Sequence, residues 1–232
     1  MSMKLEKSSQ GRLETTINAR LEAASSPITA GAVFKRTIDL AGSLFGIILL
    51  SPIWLTLAAI LKIQEPSGPV FFRQDRIGRH MRPFKIIKFR SMVVNAEERL
   101  RADPELYRKY IENNYKLEPE EDPRITRLGR FLRKSSLDEL PQLFNVLAGQ
   151  MSLVGPRPVV REELREYGDR MMEFLSVKPG VTGYWQVSGR SSVGYPERAD
   201  LELYYVSHRS GWLDIKILVL TVWHVMLKKG AY

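Results

Sequence analysis

Asp138 and Glu139 are adjacent carboxylates in Ser135-Ser136-Leu137-Asp138-Glu139-Leu140-Pro141, with Arg133 five residues before Asp138 and Arg157 nineteen after it. Adjacent carboxylates can hold a divalent metal whose shell is completed by phosphate oxygens. A carboxylate can also attack phosphorus and form an acyl phosphate. Guanidinium groups bind phosphate in a bidentate way and stabilise charge that develops on it. A structural reading competes. Ser135…Asp138 and Ser136…Glu139 both have the spacing of a capping box, and two acids in a first turn suit the helix dipole. Pro141 disturbs such a turn unless the helix starts near it.

Two further stretches can serve a phosphate-bearing substrate. In Val154-Gly155-Pro156-Arg157-Pro158, Pro156 and Pro158 restrict the backbone on both sides of Arg157, which would present one guanidinium at little ordering cost. Lys178-Pro179-Gly180-Val181-Thr182-Gly183 is rich in turn residues and leads into Tyr184-Trp185-Gln186-Val187, predicted as a short strand, and then Ser188-Gly189-Arg190. A base could stack on an aromatic ring there while the Gln186 amide reads its edge; a buried strand between two turns is the plainer reading. The sequence has no Walker loop, no GxGxxG opening a helix and no GxSxG elbow. A phosphate-handling role would therefore rest on arginines and a metal.

The balance of the whole chain agrees. Its 232 residues suffice for one domain, or a small domain with an accessory segment. A formal net charge of +9 implies an anionic partner: nucleic acid, an acidic lipid surface or a phosphorylated substrate. With no cysteine there is neither a disulfide framework nor a thiolate metal site. His80, His208 and His224 lie too far apart in sequence for zinc-like spacing.

The elements that must position these residues begin with an apolar run. Leu40 to Leu61 holds 22 residues without a charge. As a straight helix it would reach about 33 Å, enough to cross a bilayer core of about 30 Å. Ser51-Pro52 sits near its middle. Pro52 cannot donate to the carbonyl of Ile48, so the helix must kink or break, and the Ser51 hydroxyl can take up a freed carbonyl. Both flanks are basic: Lys35 and Arg36 precede the run, and Lys62, Arg73, Arg76 and Arg79 follow it. The positive-inside tendency places both on one side. A helix-break-helix hairpin that dips into one leaflet satisfies both constraints; a single spanning helix is the alternative.

Residues 1–33 read as a polar tail, with a short helix around Thr15–Glu22. Gly68 to Phe72 predicts a turn and a short strand. Arg73 to Arg90 alternates seven basic residues with apolar ones against the single acid Asp75, a pattern of hairpin strands or of a loop on an anionic surface. Asn95 to Leu117 is helical with a break at Pro104, followed by an acidic turn. Ile125 to Lys134 is a basic amphipathic helix suited to a membrane interface. Trp212 to Lys229 reads as an interfacial or core helix.

Taken together, these stretches resemble the bacterial sugar transferases, the monotopic phosphoglycosyl transferases that begin exopolysaccharide, O-antigen and capsule synthesis. The likeness lies in Lys35-Arg36-Thr37-Ile38-Asp39-Leu40, Leu50-Ser51-Pro52, Lys88-Phe89-Arg90-Ser91-Met92, Asp122-Pro123-Arg124-Ile125-Thr126 and Leu128-Gly129-Arg130-Phe131-Leu132-Arg133-Lys134. It continues in Leu137-Asp138-Glu139-Leu140-Pro141-Gln142, Gly155-Pro156-Arg157-Pro158 and Lys178-Pro179-Gly180 with Gln186 and Gly189-Arg190.

The resemblance implies a helix-rich α+β protein in three parts. Residues 1–33 would be a tail, 34–64 a re-entrant membrane hairpin, and 65–232 a small cytoplasmic catalytic domain with interfacial amphipathic helices. It implies transfer of a hexose-1-phosphate, galactose before glucose, from a UDP-sugar to polyprenyl phosphate, with release of UMP. Asp138 would attack the sugar-bearing phosphate and hold magnesium (manganese would also serve), with Glu139 as metal partner or base. Lys88, Arg133 and Arg157 would bind phosphate, and Gln186 and Arg190 would contact substrate. Lys35, Arg36, Asp39, Ser51 and Pro52 would belong to the hairpin. The implied partners are the UDP-sugar, polyprenyl phosphate and the phospholipid bilayer of the bacterial inner membrane, and no nucleic acid; a homodimer is compatible. The chain resembles the short catalytic forms. Two alternatives stand beside this one: direct transfer in a ternary complex, and a non-catalytic basic module anchored to the membrane.

Overall fold

The computed structural model describes residues 30–113, 117, 120–189 and 193–227, without the side chain of Met226. The expected tail helix, Arg190 and Lys228-Lys229 lie outside the described residues. The apolar run forms two helices, α1 (Ala30–Leu49) and α2 (Ser51–Gln64), bent by 59° at Leu50. The break has the cause that the sequence predicts. Pro52 stands in the first turn of α2, and the Ser51 hydroxyl donates to the Ile48 carbonyl at 2.8 Å where the proline has no N–H to give. Among the described residues no single helix is long and apolar enough to cross a membrane, while the bent pair together has the length and composition. Its outer face is apolar and exposed, with Phe45 at 65% and Leu55 at 72% of full exposure.

The inner face is packed against the rest of the chain. Trp54, Leu57 and Leu61 join Phe89, Leu132 and Leu143 in one buried cluster. Gly42 and Gly46 permit close approach, because a Cβ there would lie 2.7 Å from Leu153 and 3.0 Å from Leu143. The residues of the expected basic flank bond to the rest of the chain. Arg36 donates to the carbonyls of Val146 (2.7 Å) and Leu147 (2.9 Å) in the last turn of a later helix. Lys35 reaches Asp214 at 2.7 Å and the Val154 carbonyl at 3.0 Å. Asp39, fully buried, accepts from the Ser152 hydroxyl and the Leu153 N–H, each at 2.9 Å.

The basic stretch forms an antiparallel hairpin, β1 (Phe71–Ile77) and β2 (Pro83–Phe89), with Phe72 opposite Lys88 and Ile77 opposite Pro83. The open edge of β2 is closed by a side chain. Asn145 accepts from the Ile87 N–H at 3.0 Å and donates to the Lys85 carbonyl at 2.8 Å, as a neighbouring strand would. Two short helices follow, α3 (Ala96–Ala102) and α4 (Pro104–Glu112), parted at Pro104 with Asp103 capping the second. α5 (Arg127–Lys134) is the expected basic helix, capped by Thr126, whose hydroxyl accepts from Gly129 N–H. A single 3-10 turn (Leu137–Glu139) links it to α6 (Gln142–Leu147).

The remaining chain supplies a two-stranded parallel ladder and a helical back. β3 (Ser152–Val154) pairs with β4 (Gly180–Thr182). Between them lie a 3-10 stretch (Arg161–Arg170) and α7 (Met171–Phe174). The strand predicted at Tyr184–Val187 is instead a short helix, α8 (Tyr184–Ser188). The extended ladder ends at Thr182, and Val187 N–H turns back to the Gly183 carbonyl at 3.3 Å. α9 (Glu197–His208) and α10 (Gly211–Met226) complete the fold. Ile217 and Asp214 on α10 are buried, while Val219, Val222 and Trp223 are exposed. The result is a helix-rich α+β protein.

Candidate active site

The capping-box reading of the Ser-Ser-Leu-Asp-Glu stretch does not hold. Ser135 ends α5, with its hydroxyl donating back to the Phe131 and Leu132 carbonyls at 2.8 and 3.1 Å. Ser136 takes a left-handed conformation (φ 57°), so the chain turns sharply between two helices. Pro141 then leads into α6, the one arrangement in which its missing N–H is harmless. Asp138 and Glu139 therefore project from one tight turn rather than from a regular helix.

This turn packs against β2. Lys88 Nζ donates to Glu139 Oε1 at 2.6 Å. Asn145 holds β2 to α6, so the lysine and the carboxylates are fixed from two sides. Asp138 is buried, and burial raises its carboxyl to about 6; the Glu139 charge adds to this, and Lys88 and Arg133 oppose it. Burial also pushes the Glu139 carboxyl up, but Lys88, its hydrogen bond, Arg157 and Arg76 more than reverse this, so it lies below the ordinary value. The Glu139 side chain keeps 36% of its surface, which leaves it in reach of water and ligands. The pair is thus unequal: one carboxylate desolvated and basic, its neighbour held ionised.

The arginines divide into two groups. Arg76 bonds Glu163 at 3.3 Å, and Arg198 bonds Glu202 at 3.3 Å and Glu163 at 3.5 Å. Burial first, and then the Arg157 charge, lower Arg76 to about 10. The guanidinium groups of Arg133 and Arg157, by contrast, have no carboxylate within 4.0 Å among the described residues. Arg133 is steadied by Ser91, whose hydroxyl accepts from Nε at 2.9 Å. α5 can approach Ser91 only because Gly129 lacks a side chain: a Cβ there would lie 1.8 Å from the Ser91 carbonyl.

Arg157 lies in the proline-framed loop, and Pro156 and Pro158 are themselves buried. They hold the loop while Arg157 stays partly exposed between them. The loop is laced to β4 by Gly155 N–H to the Thr182 carbonyl at 2.9 Å and Gly180 N–H to the Pro156 carbonyl at 2.8 Å. Buried Glu202 accepts from the Arg157 N–H at 3.2 Å and from the Tyr167 hydroxyl. The Arg157 guanidinium sits 6.0 Å from the centre of the Trp185 ring, and Arg198 lies over the same ring at 4.6 Å. Gln186, half-buried on α8, folds toward Gly183.

Sequence reasoning brought Lys88, Arg133, Asp138, Glu139 and Arg157 to the site; it did not find the supporting Arg76, Glu163, Tyr167, Arg198 and Glu202. No spacing announces that group, since its members come from β1, the 3-10 stretch and α9. Among the described residues there is no group of three or more histidine, cysteine or acidic side chains that could hold a metal on its own. One buried and one accessible carboxylate suit a small hard cation that takes its other ligands from phosphate and water.

The family model for the bacterial sugar transferase matches residues 30–228. The chain belongs to the bacterial sugar transferase family. Relatives agree with that assignment. An undecaprenyl-phosphate galactose phosphotransferase from Salmonella typhimurium is 47% identical over 201 residues, covering 85% of this chain and 41% of the relative. An exopolysaccharide production protein, ExoY, from Rhizobium meliloti is 40% identical, covering 87% of this chain and 89% of the relative. A UDP-glucose:undecaprenyl-phosphate glucose-1-phosphate transferase from Klebsiella pneumoniae is 41% identical, covering 86% and 42%. The chain thus spans about two fifths of the length of the Salmonella and Klebsiella sugar transferases.

Proposed function

We propose that the chain transfers a hexose-1-phosphate from a UDP-sugar to polyprenyl phosphate and releases UMP. Galactose is the favoured sugar and glucose the next. The observation that carries this reading is the buried Asp138 carboxylate beside Glu139, with Arg133 acting on the first and Arg157 on the second, and with no carboxylate within 4.0 Å of either guanidinium among the described residues. A desolvated carboxylate of raised basicity is a nucleophile, and cations left over by the fold are what a diphosphate needs.

In the first half-reaction an Asp138 oxygen bonds to the sugar-bearing phosphorus, and the phosphoanhydride bond breaks so that UMP leaves. In the second, an oxygen of the lipid phosphate bonds to that phosphorus and Asp138 departs as carboxylate, giving a polyprenyl diphosphate sugar. Lys88 keeps Glu139 ionised beside the reacting centre. Glu139 can then serve as metal partner or as base. Arg133 and Arg157 meet the charge that builds on the phosphoryl oxygens. A magnesium ion held by Asp138 and Glu139 with the diphosphate would neutralise phosphate charge. The bent α1–α2 pair, with its apolar outer face, fits a re-entrant hairpin in the inner membrane. That would keep the site at the cytoplasmic interface, where nucleotide sugar and lipid phosphate meet.

The test is direct. The purified chain is incubated with polyprenyl phosphate, magnesium and a panel of UDP-sugars, and UMP is measured; no release with any sugar overturns the proposal. Omitting the lipid and isolating a phosphosugar on Asp138 separates the covalent route from direct transfer.

A further inference from the structure

The far end of the β1–β2 hairpin carries a second cationic cluster. Lys88 and Pro83 lie at opposite ends of β2, about 17 Å apart by strand geometry. At the tip, Arg79 Nε donates to His80 Nε2 at 3.1 Å, and Arg82 N–H donates to the Arg79 carbonyl at 3.3 Å. His80 N–H donates to the Leu175 carbonyl at 2.9 Å, which ties the tip to the segment that reaches Lys178 three residues later. Lys178 converges with Arg36: a Cβ on Gly149 would lie 3.7 Å from Lys178 Nζ and 3.5 Å from Arg36 Nη2. Arg209, at the end of α9, is close enough to act on Arg79; burial, then Arg209 and Arg82, hold that guanidinium below its ordinary value.

This positive charge is not matched by acids. No carboxylate lies within 4.0 Å of Arg79, Arg82, Lys178 or Arg209 among the described residues. Asp39, which faces Lys178, is engaged by Ser152 and Leu153, and Asp214 by Lys35 and Tyr205. Arg79, Arg82 and Arg209 are exposed. Beside Arg209 stands Trp212, 76% exposed, and Phe34, 56% exposed, reaches the same corner, 3.4 Å from a Cβ placed on Gly211. Exposed apolar surface runs on from there along α10 through Val219, Val222 and Trp223. Cations bordered by exposed aromatic rings and then by an apolar face match the layers of a bilayer: headgroup, interface and hydrocarbon. A soluble phosphate or a nucleic acid would give no reason for the apolar border.

We propose that Arg79, Arg82, Lys178 and Arg209, edged by Trp212 and Phe34, form a docking face for the headgroups of anionic glycerophospholipids, separate from the site around Asp138. It rests on the reading that the α1–α2 hairpin enters a membrane. Docking would seat the hairpin tip and the start of α10 on the lipid surface and set the tilt of the catalytic body.

The experiment places the full chain in nanodiscs of phosphatidylcholine with about 30% phosphatidylglycerol, a charge density at which basic clusters respond to the surface potential. Bromine is carried on the acyl chains of one lipid or the other, and Trp212 emission is taken as the difference from W212F. The expected result is quenching about twofold stronger by the brominated phosphatidylglycerol, reduced at about 0.5 M salt. R79E/R82E/R209E is expected to equalise the two lipids, while R101E/R108E/K109E, of equal charge change, keeps the preference. R79Q/R82Q/R209Q carries the same test should charge reversal disturb the tip. Equal quenching in the unaltered chain, or a preference that survives in the tip variants, overturns the proposal. UMP release in detergent reports on the transferase reading alone, and it is expected to be unchanged in the tip variants.

Discussion

Lys88 and Glu139 meet at 2.6 Å across 51 residues of sequence, and this contact sets the two carboxylates of the turn apart. It holds Glu139 ionised and leaves Asp138 to bear the cost of burial. Lys88→Met removes the cation that acts on both. Because Lys88 lowers Asp138, the acid limb of the pH–rate profile for UMP release is expected to move to higher pH. The rate at neutral pH should fall by about 10-fold or more, as when a charged hydrogen-bond partner beside a reacting group is deleted. An unmoved acid limb would show that Lys88 does not act on Asp138.

Asp138→Asn should abolish turnover and stabilise the fold. In the folded chain the Asp138 carboxyl lies near 6 rather than 3.8. Its neutral form is favoured by folding, so stability is greatest below the unfolded value and is lost as pH rises toward 6. Thermal unfolding in chelator at pH 8 is expected to show the variant more stable by up to about 3 kcal/mol, with the gap closing near pH 4. A variant less stable than the parent at pH 8 contradicts this account of the site.

Buried Glu202 ties the arginine loop to α9. It accepts from Arg157 N–H and from Tyr167, and it neutralises Arg198. Glu202→Gln has one acceptor oxygen for these donors. The KM for UDP-sugar is expected to rise about tenfold, with a smaller change in kcat, as a loosened phosphate ligand costs about 1–2 kcal/mol of binding. A loss confined to thermal stability would reduce Glu202 to a structural role.

Asn145→Leu tests the side chain that closes the edge of β2. It removes the partners of the Ile87 N–H and the Lys85 carbonyl. Two stranded backbone groups predict a loss of about 2–4 kcal/mol in unfolding free energy, measured by denaturant titration in detergent. UMP release should fall further than unfolding explains, since Lys88 rides on the same strand.

The proline break was legible because its cause is local. Pro52 removes one donor, and Ser51 supplies another within the same turn. The hairpin strands and the amphipathic α5 were legible from the alternation and spacing of their basic and apolar residues. The capping-box expectation failed because the Ser-x-x-acid spacing is shared by any turn between helices, and Ser136 adopts a left-handed backbone that spacing cannot reveal. The strand expected at Tyr184–Val187 failed because aromatic and branched residues there serve tertiary packing on α9 and α10, which overrides β propensity. Arg36 and Asp39 read as a membrane flank, whereas their partners, Val146 and Ser152, lie more than 100 residues away. The supporting arginine and glutamate group was illegible for the same reason: its pairs form only after β1 and α9 have met.

Trp54 stands edge-on to both Phe89, at 5.8 Å between ring centres, and Phe144, at 4.9 Å. Phe89 is the residue after Lys88, and Phe144 lies in the helix that follows Asp138. The apolar hairpin is therefore geared to the turn that carries Asp138 through three interlocked rings. With the proposed function, the transferase would work at one altitude above the lipid, like a plane iron fixed in its stock. The lipid phosphate would have to be lifted or lowered to it, and acceptors whose phosphate sits at another depth would be refused whatever their chemistry.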